Sequence, residues 1–110
     1  MFIVIYEWRA KIGKETLFRE AWRRSTLAIT HKYGSLGSRL CQTADGRFIG
    51  AAEWPDRASW EAAMSRSMEH DDDQAKEMLA EALQDGGAPV LAMDVLDDLL
   101  IRSASGDRSE

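Results

Sequence analysis

The chain opens on FIVIYEWRA, in which alternate positions separate into two faces. Phe2, Val4, Tyr6 and Trp8 form one face, and all four are large and apolar or aromatic. Ile3, Ile5, Glu7 and Arg9 form the other, which turns polar at its end. A period of two in β-branched and aromatic residues predicts a strand, covered on both sides at its start. Gly13 breaks that pattern, and the period then changes. From Lys14 to about Lys32, Phe18, Ala21, Trp22, Ser25 and Ile29 recur at spacings of three and four, the stripe of an amphipathic helix. Glu15 in its first turn and His31 and Lys32 in its last suit the helix dipole, and Gly34 stands where a glycine cap belongs.

Leu36 to Thr43 reads as a second strand and Arg47 to Trp54 as a third, with Asp45-Gly46 as the turn of a hairpin. Gly50, Ala51 and Ala52 leave the middle of the third strand bare, which predicts a close neighbour there. Asp56 caps a second helix, on which Trp60, Ala63, Met64 and Ser67 share a face. The run from Met68 to Asp73 interrupts it, and a further helix covers about Asp72 to Leu83. Gly86-Gly87 and Pro89 are expected to end that helix, and Val90 to about Ile101 to form the last strand.

The order is β-α-β-β-α-β with the second helical region split. This is an α+β, ferredoxin-like pattern with an antiparallel sheet and both helical layers on one face. Residues 1–101 would form the single domain and 102–110 a polar, flexible tail. The sheet face opposite the helices carries Ile3 and Ile5, and a second copy laid sheet to sheet would cover it, so a homodimer is expected.

Composition narrows the chemistry. A net charge of −5 argues against a nucleic-acid partner. The basic cluster of Arg19, Arg23 and Arg24, interrupted by Glu20, reads as a solvated helix face. No apolar stretch approaches a membrane span. The one cysteine, Cys41, allows no internal disulfide; this fits a cytoplasmic setting, with Cys41 as a buried small hydrophobe in its strand. The run His70-Asp71-Asp72-Asp73 raises a metal question, but consecutive residues converge poorly on one ion and acidic residues suit a helix start, so no metal site is expected. Gly-rich phosphate loops, HExxH, CxxC and GxSxG patterns do not occur.

Three stretches, IGKETLFREAW, YGSLGSRL and GRFIGAAEWPDRASWEAAM, together resemble the antibiotic biosynthesis monooxygenase family of dimeric α+β barrels over residues 2 to 67. The resemblance implies a homodimer with a small pocket in each subunit between sheet and helices. It also implies, for some members, oxidation of aromatic polyketides or quinols by molecular oxygen with neither metal nor flavin, so no cofactor is expected. Other members degrade haem with an Asn in strand one and a Trp–His pair in the second helical region. Here the Asn position falls on Tyr6 and the Trp position near Ala63, and these departures argue against haem as substrate.

The expected function is therefore a cofactor-independent monooxygenase acting on a small aromatic or quinol-like molecule. The alternative is a non-catalytic dimeric barrel that binds a small apolar ligand. Tyr6, His31 and His70 are the candidate catalytic, proton-handling groups; Trp8, Tyr33, Trp60 and Met64 are the candidate substrate contacts. Each has a plainer reading. Tyr6 and Trp8 can fill core under the first helix, and His31 can serve the helix dipole. Arg39, alternating away from Leu36, Ser38 and Leu40, suits an ion pair between subunits.

Overall fold

The computed structural model describes residues 1–101, so the tail expected at 102–110 lies outside the described residues. The elements run β1 (Phe2–Ala10), α1 (Glu15–Tyr33), β2 (Gly37–Gln42), β3 (Phe48–Trp54), α2 (Arg57–Ser65), α3 (Asp73–Ala82) and β4 (Leu83–Asp94). The strands form one antiparallel sheet in the order β2-β3-β1-β4, the ferredoxin-like arrangement.

Strand β1 is central because it can bury both of its edges in pairing. Its alternation then sorts the side chains. Phe2 and Val4 are fully buried toward the helices, where they join Trp54 and Ala63 in one core cluster. Phe18, Phe48 and Ala82 form a second cluster against which Trp8 and Trp22 pack. The cavity described below is walled by residues that pack on both clusters.

The caps hold the helices where the sheet needs them. Gly34 adopts φ 75° and closes α1, its N–H bonding Thr30 O, as its place after the last turn predicts. Asp56 accepts the Ser59 N–H at 2.8 Å and starts α2. Asp72 accepts the Ala75 N–H at 3.0 Å and starts α3. The bare centre of β3 has its predicted neighbour: the Trp8 ring lies over Gly50, 2.7 Å from where a Cβ would stand.

Five expectations need correction. The last strand is Leu83–Asp94, not Val90–Ile101. Gly86, Gly87 and Pro89 do not stop a helix but sit inside β4, where the pairing with β1 shifts register around Tyr6 and Trp8. Both glycines have positive φ, and an edge strand tolerates a proline and bulges. Cys41 is exposed, because it pairs with Ile49 on the sheet face that no helix covers. Arg24 is not solvated: half-buried, it grips Asp72 with two hydrogen bonds of 2.9 and 2.8 Å and ties α1 to the start of α3. Ser67 does not continue the α2 face, since the helix ends at Ser65 and both Ser67 and Met68 turn left-handed, at φ 56° and 52°.

Among the described residues no helix is long and apolar enough to cross a membrane.

Candidate functional site: a cavity between helices and sheet

Between α1, α3 and the helix-facing side of the sheet lies a cavity of about 640 Å³ that opens to solvent. Strand β1 supplies Tyr6 and Trp8 to its wall; α1 supplies Trp22, Ser25 and Ile29; β3 supplies Ala52 and Trp54. The left-handed turn after α2 brings in Met68, Glu69 and His70, and α3 adds Lys76 and Leu79. A volume of this size with an apolar wall and a few convergent polar groups is what a small-molecule site requires.

The polar groups are individually oriented. Trp60 donates its indole N–H to the Tyr6 hydroxyl oxygen at 3.0 Å. That leaves the Tyr6 hydrogen free to donate elsewhere. Burial pushes the Tyr6 phenol above its usual range, with the Trp60 hydrogen bond partly offsetting this, so the phenol stays protonated at neutral pH. His70 is buried, 6% exposed, and its Nδ1 accepts the Asp72 N–H at 3.2 Å. An accepting Nδ1 fixes the neutral tautomer with hydrogen on Nε2. Burial first, then the Lys76 charge, holds His70 below the usual imidazole range, while Asp72 and Asp71 pull the other way.

Two further wall residues carry orphaned polar atoms. The Trp54 indole N–H and the Ser25 hydroxyl are buried without a hydrogen-bond partner among the described residues. Such groups cost free energy unless something satisfies them.

Of the residues singled out in the sequence, Tyr6, Trp8 and His70 meet at this cavity. Trp60 stands behind Tyr6, tilted against Phe2 with ring centroids 5.5 Å apart. Tyr33 donates its hydroxyl to the Glu69 carbonyl and so braces the turn that carries His70. His31 and Met64 are exposed and stand outside the cavity wall. The acidic run after His70 has structural work, with Asp72 capping α3 and holding Arg24. Among the described residues no group of three His, Cys, Asp or Glu is placed to hold a metal ion. Ser25 and Trp54 were legible only as core positions, because an unpaired polar atom shows itself in packing and not in periodicity.

The sequence profile of the antibiotic biosynthesis monooxygenase family matches residues 1–70. The chain belongs to this family. The match runs from β1 through His70, so the family segment contains the β1 and β3 parts of the cavity's sheet wall and its left-handed turn. No curated protein matches the sequence. Among solved structures, this family member is similar to Rv0793 from Mycobacterium tuberculosis, at 14% identity over 90% of this chain and 98% of that one, with a TM-score of 0.63. It is also similar to SnoaB, a cofactor-independent oxygenase from Streptomyces nogalater, at 13% identity over 89% and 95% of the two chains, with a TM-score of 0.62. At these identities the likeness is one of fold.

Proposed function

We propose that this family member is a cofactor-independent monooxygenase that oxidises a small aromatic or quinol-like substrate in the cavity between sheet and helices. The observation that carries the reading is a solvent-open, mostly apolar cavity with Tyr6 and His70 in its wall, each held by a hydrogen bond that it accepts and each left with a hydrogen to donate.

The chemistry asks little more of the protein. A substrate with an acidic C–H or O–H beside an aromatic ring loses a proton and becomes an electron-rich anion, its charge spread onto oxygen. Tyr6 O–H and His70 Nε2–H would stabilise that oxyanion, and in a half-buried wall each donor counts for more than in water. Neither has a free basic atom in these states, so both favour the anion without taking its proton, which leaves through the open side of the cavity. The anion gives an electron to molecular oxygen, the resulting radical and superoxide join as a peroxide anion, and a proton returning from solvent through the open side makes it a hydroperoxide. Loss of water leaves one oxygen atom in the product as a carbonyl and the other in water. Trp8, stacked on Tyr6 with ring centroids 5.8 Å apart, offers the substrate a flat surface. The Trp60 bond fixes the Tyr6 hydroxyl, which makes Trp60 a positioning residue.

Oxygen uptake with a panel of anthrones and hydroquinones tests this. Uptake by the wild type is expected, reduced about a hundredfold in Tyr6→Phe and in His70→Ala, the usual effect of losing one oxyanion donor. No uptake with any member of the panel would refute the oxygenase reading and leave a ligand-binding barrel.

We further propose that two copies pair through the open sheet face. Ile5 lies between Ala51 and Leu91 in the sheet and Ile3 beside Met93, with Leu91 60% and Met93 40% exposed in the single chain. An apolar strip along three strands is what a sheet-to-sheet partner would cover. Sedimentation is expected to give a dimer, and Ile5→Glu to shift it toward monomer; a wild-type monomer at micromolar concentration would overturn the pairing. A reducing, cytoplasmic setting suits a chain with one exposed thiol.

A further inference from the structure

His70 is the buried polar residue of the described chain, and three consecutive carboxylates, Asp71 to Asp73, follow it. A carboxylate beside an imidazole ordinarily accepts a ring N–H and favours the charged form. This histidine shows the reverse: its Nδ1 accepts, and the donor is the Asp72 backbone N–H at 3.2 Å. The reason lies on another element. Arg24 of α1, half-buried, forks onto the Asp72 carboxylate, Nε to Oδ2 at 2.9 Å and Nη2 to Oδ1 at 2.8 Å. The Ala75 N–H donates to Oδ1 as well, at 3.0 Å. The Asp72 carbonyl is also engaged, accepting the Lys76 N–H at 3.2 Å. A carboxylate offers about four acceptor positions, and the donors of α1 and α3 fill most of them. What Asp72 gives His70 is its backbone N–H.

We infer that Arg24 is a positioning residue for His70: by occupying the Asp72 carboxylate it leaves the Asp72 N–H as the partner of Nδ1, and so places the imidazole hydrogen on Nε2. Without the guanidinium, the carboxylate keeps the Ala75 donor and can turn its other oxygen to the imidazole two residues back. It would then accept from Nδ1–H and leave Nε2 bare in the neutral ring. It would also favour the imidazolium. The remaining charges at His70 are Lys76 of α3 and Lys32 of α1, which oppose the charged form, and Asp71, which favours it. Neither Arg24 nor Asp72 belongs to the cavity wall, whereas His70 does. A residue outside the cavity thus sets which ring nitrogen of a wall residue carries hydrogen.

The inference rests on the oxygenase reading only for what His70 does to a substrate, and its test reads the imidazole itself. Long-range ¹H–¹⁵N spectra report which ring nitrogen carries hydrogen, with His31→Gln to assign the two histidines. Wild type is expected to show His70 as the Nε2–H tautomer. Arg24→Gln is expected to move it to Nδ1–H and to raise its titration midpoint by about one pH unit. The double variant Arg24→Gln, Asp72→Asn has no carboxylate to offer, and His70 is expected to return to Nε2–H although the ion pair is still missing. Near-UV circular dichroism verifies the fold of each variant. An ion pair that only braces α1 against α3 would leave His70 as disturbed in the double variant as in the single one, and that result would overturn the inference. So would an Nδ1–H tautomer in the wild type, a reading that requires no substitution to fold. Wild-type behaviour of His70 in a folded Arg24→Gln would overturn it equally. Should Arg24→Gln fail to fold, Arg24→Lys keeps the charge without the fork. Both tautomers are then expected, and an unchanged Nε2–H would refute the role. Oxygen uptake absent from the wild type, beside the expected tautomers, would remove the oxygenase reading and leave this one standing.

Discussion

Adding one methyl group at Gly50 or at Gly86 should have different consequences, although both additions collide with Trp8 or its backbone. At Gly50 the new Cβ would stand 2.7 Å from Trp8 Cζ3 and 2.8 Å from Cη2, both at the far edge of a side chain. Carbon atoms rest about 3.5–4.0 Å apart, so the ring must retreat by about 1 Å. It has somewhere to go, since Trp8 forms part of the cavity wall. The retreat disturbs its stacking on Tyr6 and its contact with Phe18, centroids 5.8 and 5.7 Å away. Overpacking of this kind costs about 1–3 kcal/mol. A stiffer unfolded chain returns about 0.4–1 kcal/mol for Gly→Ala. The net loss is about 1–2 kcal/mol, or about 4–16 °C in Tm, which a domain of ordinary stability survives. At Gly86 the Cβ would stand 2.3 Å from Glu7 O and 2.6 Å from Trp8 Cα, with φ at +108°. Those atoms are backbone of the central strand and cannot rotate away. Relief requires β4 to leave β1, and the loss should exceed about 3 kcal/mol. Urea unfolding followed by tryptophan fluorescence, at one fixed protein concentration, measures both. Equal losses at the two sites, or a larger one at Gly50, would refute the reasoning that an open cavity absorbs the strain.

Trp60→Phe keeps a ring beside Phe2 and removes the N–H that Tyr6 accepts; stability should fall by about 1 kcal/mol, and ultraviolet titration should find the Tyr6 phenol pushed higher still, since that bond lowers it. An unchanged tyrosine titration would argue that the bond is absent in solution. The pH dependence of stability carries the His70 signature. Its folded-state pKa is depressed, so below about pH 6.5 the unfolded chain takes up a proton that the folded chain refuses, and stability declines as pH falls from there toward the folded value. At higher pH both states are neutral and the group contributes no slope. His70→Gln should flatten the decline in that window; the steeper loss at lower pH, where Asp56 and Asp72 with their depressed pKa values become protonated, should remain. A wild-type profile flat through the window would contradict the burial of a neutral His70.

Local pattern along the chain was enough for β1, the helices, the β2–β3 hairpin and the family resemblance, but not for β4. Alternation over Phe2 to Trp8 sets which side of β1 meets the helices, because a strand turns successive side chains to opposite faces. Spacings of three and four set the buried stripe of α1, and Gly34 and Asp56 end and start helices by local geometry alone. Each of these signals lies within a few residues, which is why it was legible. Where two distant segments had to agree, the sequence was silent or misleading. Gly86-Gly87-Pro89 looks like a helix stop, yet at a sheet edge it makes the bulges that set β4 against Tyr6 and Trp8. Cys41 looks like core until the sheet's second face is left without a helix. The cavity is the clearest case. Tyr6, Trp8 and His70 could be suspected by type, but whether Trp8, Trp22 and Trp60 fill the space or frame it depends on volumes summed across α1, α3 and the sheet. Tertiary structure alone sets Trp60 behind Tyr6 as its hydrogen-bond partner, and brings Trp54 to the wall with its indole N–H unpaired. Hydrogen-bond satisfaction is a property of the assembled packing, and no local pattern along the chain encodes it.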